Sequence, residues 1–514
     1  MVMKKIGKES SQGTIKVFLL CAFGILLFSC DLEVDPKQTT RTTEALNSSQ
    51  GMEKALNSVY GRLRSVDHYG RDMFAKSDAL SDVGYATGNS GRLVPENDNV
   101  PNAHFTSGFW QNAYAAISEL NLILDQIEKG VNGATDGELA RWEGEARFLR
   151  ALYFFDLVKV YSYIPTAIYQ DGVVDQGGIP MPLNAVFIAD IAYLNEYPRS
   201  TLAQNYTQII NDLNEAITLL QGTTSPGPQF ASSGAAAALL SRVALYNGNW
   251  QTVLNASNAA LNSNVGELLS GEAYVQGWKA SVHPESMFEV RVQTSAESLG
   301  QDVSLQATYT TILDLNNKNV RGGWGDLIPS PIVLDFFGLT PNQVGNPASD
   351  NNNWDVSRNQ DIRARLYTTG NNQRFARRQI ECMKFLGKNG FDYGDNIPVI
   401  RKSEILLNKA EAFYRLGRET EALAELNAFK ALRGLGPVQF ERQGIFEEIL
   451  AERFKEFAFE GQRFFDLKRN GKDIDKRSFL SPNDFVAFED FRILAPIPRR
   501  EVELNSNLNQ NRGY

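Results

Sequence analysis

A chain of 514 residues with 43% hydrophobic and 22% charged residues is long enough to bury a large core. Its net charge of −9, with no concentrated basic run, argues against a nucleic-acid binder or attachment to an anionic surface by charge. Three cysteines and three widely separated histidines, His68, His104 and His283, supply no disulfide framework and suit a metal centre or histidine triad poorly.

In chain order, the first element is a leader. Lys4, Lys5, Lys8 and Lys16 precede an apolar run from Val17 to Phe28, and Ser29-Cys30 is followed by Asp31-Leu32-Glu33-Val34-Asp35. This is the secretory pattern, and the run is well short of the roughly 20 apolar residues that cross a bilayer as a helix. Residues 1–29 are therefore expected to be a lipoprotein signal peptide, with Cys30 as the acylated, palmitate-bearing N-terminus. Without that leader the net charge is −12, since four lysines and Glu9 leave with it. Cys21 leaves too, Cys30 is used for lipid and Cys382 stands alone, so stability must come from the core.

Residues 30–48 are polar and threonine-rich and read as a lipidated tether, followed by one domain over 49–514. Its first helix begins near Gly51, where Met52, Leu56, Val59, Tyr60 and Leu63 recur at helical spacing. A loop-rich stretch from Tyr85 to Phe105 precedes a helix over Phe109–Lys129. Gly144–Tyr161 carries so many apolar positions that two of its faces must be buried. Tyr206–Leu220 is amphipathic and ends before Ser225-Pro226-Gly227-Pro228.

Two segments then look alike. Gly234–Asn262 turns at Asn247-Gly248-Asn249, and Lys402–Arg433 turns at Leu416-Gly417-Arg418. Each first helix ends in a tyrosine, Tyr246 or Tyr414, after small residues that let antiparallel helices approach. The period of about 34 residues is similar to that of tetratricopeptide hairpins. Between the copies, residues 266–398 are rich in Gly, Asn, Gln and aromatics, with short runs such as Ser286–Val292 alternating like strands. The fold class is mainly α, with tetratricopeptide-like helical hairpins packed against an irregular, loop-rich, aromatic-bearing region with a few short strands.

The C-terminal region, 402–514, carries Glu404-Ile-Leu-Leu-Asn-Lys-Ala-Glu-Ala412, the run Ile449–Arg469, Leu494-Ala-Pro-Ile-Pro498 and the ending Asn505–Tyr514. The N-terminal half carries Trp110, Tyr114 and Asn121, then Gly144–Val158 and Tyr161–Pro165. Together these resemble the SusD/RagB family of outer-membrane nutrient-binding lipoproteins over nearly the whole mature chain. The resemblance implies a cell-surface lipoprotein that binds oligosaccharide or polysaccharide and passes it to a SusC-like TonB-dependent transporter. It implies that the irregular, loop-rich region binds the ligand, and it implies no enzymatic activity, no cofactor and no nucleic-acid partner.

Sugar rings stack on aromatic faces and need amides, carboxylates or guanidinium groups for their hydroxyls. Trp110, Trp142 and Trp250 sit in or beside amphipathic helices and read as core, whereas Trp278 is open to either role. Trp324, flanked by three glycines, and Trp354, in Asp350-Asn-Asn-Asn-Trp-Asp355, read as loop aromatics facing ligand. Tyr85, Arg92 and Asn97 join them because the family commonly builds its site from these two regions. Asn and Asp clusters lack EF-hand spacing, so no metal is expected.

Two rival readings use the same chain. A peptide or another nutrient is one possible ligand. The other rival is a glycoside hydrolase built on Glu448, Glu452, Glu456 and Glu460, which share one helical face at a Cβ spacing of about 5–6 Å. Interleaved Arg453, Lys455 and Arg463, with Phe454, Phe457 and Phe459, favour a structural ion-pair network there instead.

Overall fold

The computed structural model describes residues 42–514 except 106, 169–172, 187–196, 340–359, 372–378, 440 and 477–484. Leu46–Tyr514 form the folded body. Within the expected tether, Thr42–Leu46 is helical. Among the described residues no helix is long and apolar enough to cross a membrane.

The helices follow from apolar spacing closed by side-chain caps. Helix α1 (Ser49–Arg62) buries Met52, Leu56 and Val59, and the Ser48 hydroxyl accepts from the Gly51 amide at its start. Helix α2 spans Asp72–Leu80 and α3 Ser107–Lys129. Helix α4 (Asp136–Tyr161) begins eight residues earlier than its apolar run. Thr135 and Glu138 form a capping box there, each side chain bonding the other's amide at 3.3 and 2.9 Å. From Gly144 onward nearly every α4 residue is buried, as the sequence predicts for a helix covered on two faces. Helix α5 (Leu202–Leu219) opens on the same device, Thr201 with Gln204.

The two look-alike segments are helical hairpins. Helices α6 (Ser233–Asn247) and α7 (Trp250–Leu261) reverse at Gly248, whose φ is 75°. Helices α8 (Lys402–Arg415) and α9 (Glu419–Leu432) reverse at Gly417, φ 74°. Only glycine takes such angles without strain, so each reversal rests on that residue. The pairs α3/α4, α4/α5, α5/α6, α6/α7, α7/α8 and α8/α9 pack in succession, while α1 lies on α3 and α4. A polar bridge crosses three of them: the Ser241 and Ser257 hydroxyls lie 2.8 Å apart, and Asn408 donates to Ser241 at 3.3 Å.

The segment between the hairpins holds the short strands. Strand β2 (Ser286–Val290) pairs antiparallel with β8 (Ile397–Arg401), joining the two ends of the insertion under the hairpin stack. All five β2 residues are buried, so its alternation does not mark a solvent face; Glu289 is held by Gln229 and Asn396 at 2.7 and 2.8 Å. Strand β3 (Ile312–Asp314) pairs with β4 (Asn317–Arg321), and β6 (Tyr367–Thr369) with β7 (Ile380–Cys382). Strand β1 (Gly84–Ala86) pairs with β5 (Leu327–Pro329), a connection that brings residues some 240 positions apart into one sheet. The C-terminal tail is locked by Asn511, whose buried amide donates to the carbonyls of Tyr161 and Ala495, both at 2.8 Å.

Candidate functional site

Pairing of β1 with β5 sets Tyr85 opposite Ile328 and carries the two loop-rich regions onto one face. The Thr87 amide donates to the Asp326 carbonyl at 2.9 Å, and its hydroxyl to the Gly325 carbonyl at 2.8 Å. Asn89 donates to the Trp324 carbonyl at 2.9 Å. The loop bearing Trp324 is therefore gripped along its backbone before any ligand arrives.

The flanking glycines are there for close approach. A Cβ on Gly323 would lie 2.2 Å from the Ala307 backbone, and one on Gly322 2.3 Å from that of Ile312. The Ala307 carbonyl accepts from the Trp324 amide at 2.7 Å and from the Gly325 amide at 3.0 Å. Any other residue would push the tryptophan off its seat.

The indole is half-buried. Its Nε1 donates to Asp302 at 3.1 Å, and the Arg92 guanidinium lies over the ring, 5.5 Å from its centroid. Arg92 Nε is 3.2 Å from Asp326 Oδ2, and the Ser90 hydroxyl donates to Asp326 Oδ1 at 2.6 Å. Burial pushes the Asp326 carboxyl above its usual range, while Ser90 and Arg92 act the other way. Tyr85 is 37% exposed. An aromatic face and a guanidinium thus stand together, with the Asp326 carboxylate buried behind Arg92 and Ser90, and such groups suit a hydroxyl-rich ring.

Of the predicted site residues, Arg92 and Trp324 are in contact, while Tyr85 stands on β1 with its side chain partly exposed. Asn97 is corrected to a support: it is 3% exposed, accepts from the Ala86 amide at 3.0 Å and donates to Ala79 and Gly84 at 3.1 and 2.8 Å. An amide beside Pro and Glu in a polar run looks exposed in sequence, yet here it braces β1 from below. Trp354 and Cys30 lie outside the described residues. Sequence reasoning missed Asp302, Asn89 and Ser90, because the partners that give them meaning stand 22 to 236 positions away.

A buried acid sits beneath the platform. Glu381 on β7 accepts from the Thr311 amide at 2.8 Å and hydroxyl at 2.6 Å, and its carboxylate is where a Cβ on Gly325 or Gly370 would meet it. Burial pushes its carboxyl up to about 7, despite the Thr311 bonds and the nearby Lys318 ammonium. Lys476 is a second such group: burial pulls its amine down to about 7, and it donates to the Ala79 and Asn97 carbonyls, both at 2.7 Å.

The carboxylate stripe sits in helix α10 (Arg442–Phe457) and the turn after it, inside an ion-pair network. Glu452 bonds Arg363 at 2.7 Å, Glu456 bonds Arg401 and Arg433 at 2.9 and 2.8 Å, and Glu460 bonds Lys384 at 2.6 Å. Glu448 pairs with Lys430. Despite burial, the Arg363, Lys455 and Lys430 charges hold Glu452 near 2; Arg433 and Arg401 hold Glu456 well below its usual range. Glu452 and Glu456 are therefore ionised struts with no proton to give a leaving group. Trp142 and Trp278 are buried, Trp110 nearly so, and Trp250 packs partly against the core.

Comparison with known proteins shows the family and the fold. Residues 31–245 match the SusD-like family described as starch-binding and associating with the outer membrane, and residues 353–514 match the SusD family. The chain belongs to the SusD/RagB family. It is similar to SusD-like protein P2 of Formosa agariphila, 24% identical over 95% of this chain and 98% of that one. A solved SusD superfamily protein from Bacteroides thetaiotaomicron superposes with a TM-score of 0.75 at 26% identity, covering 90% of this chain and 99% of the other. A solved laminarin-binding SusD-like protein gives 0.69 at 22% identity, covering 91% and 100%.

Proposed function

We propose that this protein captures a glycan at the cell surface on the Trp324 platform and hands it to a SusC-like TonB-dependent transporter. Cys30 carries the lipid that holds it to the outer membrane. The observation that carries this reading is the mounting of Trp324: a half-buried indole on a glycine-packed loop, with Arg92 over the ring and Asp302 on its nitrogen. Such a side chain loses little freedom when a sugar stacks on it, so a small site suffices for modest, reversible binding. Family membership and the laminarin-binding neighbour support a glycan as the ligand class.

The protein acts as a binding component, and hydrolysis belongs to other proteins. The stripe at Glu448–Glu460 favours this view, being neutralised by buried cations. Titration of the protein with laminarin and starch oligomers tests the reading: one class binds, no reducing ends appear, and Trp324→Ala weakens binding about tenfold or more, ~1.4 kcal/mol. Binding of peptides in place of every glycan offered would favour the rival nutrient.

A further inference from the structure

Helix α3 carries a stripe of aromatic and polar residues along one face. Trp110, Tyr114, Ser118, Asn121, Asp125 and Glu128 recur at three- and four-residue steps, so they form one stripe. At a rise of about 1.5 Å per residue it is about 27 Å long. Trp110, Tyr114, Ser118 and Asn121 line a cavity of about 440 Å³, whose far wall includes Tyr197, Glu501 and Leu508. Asn121, Asp125 and Glu128 line another of about 500 Å³. Asn121 and Asn184 belong to both, so the two adjoin along the helix. Each has the volume of a small-molecule site.

The walls are preformed. The Tyr114 hydroxyl donates to the Pro180 carbonyl at 2.8 Å, and Asn121 donates to that of Pro182 at 2.9 Å, fixing the opposite bank. The Tyr197 carbonyl accepts from Asn505 at 2.9 Å. Trp110 is braced edge-on by Tyr161, 4.9 Å between ring centroids, and lies 4.7 Å from Tyr114.

The polar lining divides into two kinds. Asn121 is committed to Arg150 and Pro182, and Asn505 to Tyr197 and Asn507. The side chains of Gln111, Ser118, Asn184 and Glu501 also face the first cavity and make no hydrogen bond or ion pair among the described residues. Three of these four both donate and accept, the match for a hydroxyl. Among the described residues that line the two cavities the cations are Arg147 and Arg150, and they are paired with Glu143 and Asp212.

We propose that the α3 groove is a second ligand site, separate from the Trp324 platform, that takes an uncharged sugar chain. One ring stacks at Tyr114 and Tyr197, and Gln111, Ser118 and Asn184 bond its hydroxyls. The proposal does not depend on the Trp324 site, and the two are told apart by mutation.

Ser118 is exposed on α3, so Ser118→Trp fills the cavity without removing an internal contact. Maltohexaose and laminarihexaose serve as probes for calorimetry on the full-length chain, and crystals are soaked in the corresponding trioses. The proposal expects saturable residual binding in Trp324→Ala, weakened about tenfold or more when Ser118→Trp is added. It expects Ser118→Trp alone to spare the Trp324-dependent binding, with sugar density beside Tyr114 in the soaked crystal. Three results overturn it: no residual binding of either probe in Trp324→Ala, residual binding indifferent to Ser118→Trp, or density showing the cavity filled by the protein's own residues.

Discussion

At the scale of single residues, the platform depends on groups that never touch a ligand. Gly323 packs its Cα face on the Ala307 backbone, so Gly323→Ala displaces the Trp324 loop and weakens glycan binding about as much as Trp324→Ala, roughly tenfold, in the same titration. Glu381 sets a pH dependence. Its folded carboxyl keeps a proton up to about 7 while the unfolded chain releases it near 4.3. Over that window the folded state binds more protons, so stability falls as pH rises, by on the order of 3 kcal/mol. Urea unfolding of the wild type and Glu381→Gln from pH 4.5 to 8 should show the stability of the wild type relative to the variant fall as pH rises through this window. The sequence sets Trp324 in a glycine-flanked loop, and in the fold those glycines serve close backbone contact. Asn97 was misread and Glu381 unseen, because burial by strands distant in sequence leaves no local trace.

At the scale of elements, helices were the most readable part, since apolar spacing survives whatever packs against it. Both hairpin turns fall where Gly248 and Gly417 stand, and the ends that were missed have a plain signature. Thr135-x-x-Glu138 and Thr201-x-x-Gln204 are capping boxes, and reading them would have started α4 and α5 where they begin. Thr135→Ala is accordingly expected to cost about 1 kcal/mol of unfolding free energy with the fold unchanged, measured by denaturant titration. Gly144 of α4 packs against the end of α5, where a Cβ would lie 2.6 Å from the Leu220 side chain. Gly144→Ala should cost about 1–3 kcal/mol, more than a cap, because two helices must move apart. The short strands were less legible: β1 and β5 have three residues each, and their pairing rests on the whole fold.

At the scale of the molecule, a buried network links parts that the sequence keeps far apart. Arg401 at the end of β8 bonds Glu285 before β2 at 2.6 Å and Glu456 of α10 at 2.9 Å. Arg433 after α9 bonds Glu456 at 2.8 Å and the Ser403 hydroxyl at 2.6 Å. Removing one partner leaves a buried charge unpaired, so Glu456→Gln should lose about 3–5 kcal/mol, measured by thermal or urea unfolding. A glycosidase base would instead lose turnover and keep its fold, which separates the two roles of that residue. Glu452, held near 2, adds stability that is present above the unfolded carboxylate range near 4.3 and lost as pH falls towards 2. The carboxylate spacing was visible in sequence; which cations neutralise it was visible only in part, since Arg363, Lys384 and Arg401 come from other segments.

The most direct test of the account is calorimetric titration of the protein and its Trp324→Ala variant against laminarin, starch and a panel of their oligomers. The account predicts saturable binding of one glycan class by the wild type, no release of reducing ends, and a loss of about tenfold or more in the variant at unchanged thermal stability. Equal binding by both forms, or no glycan bound by either, would contradict it.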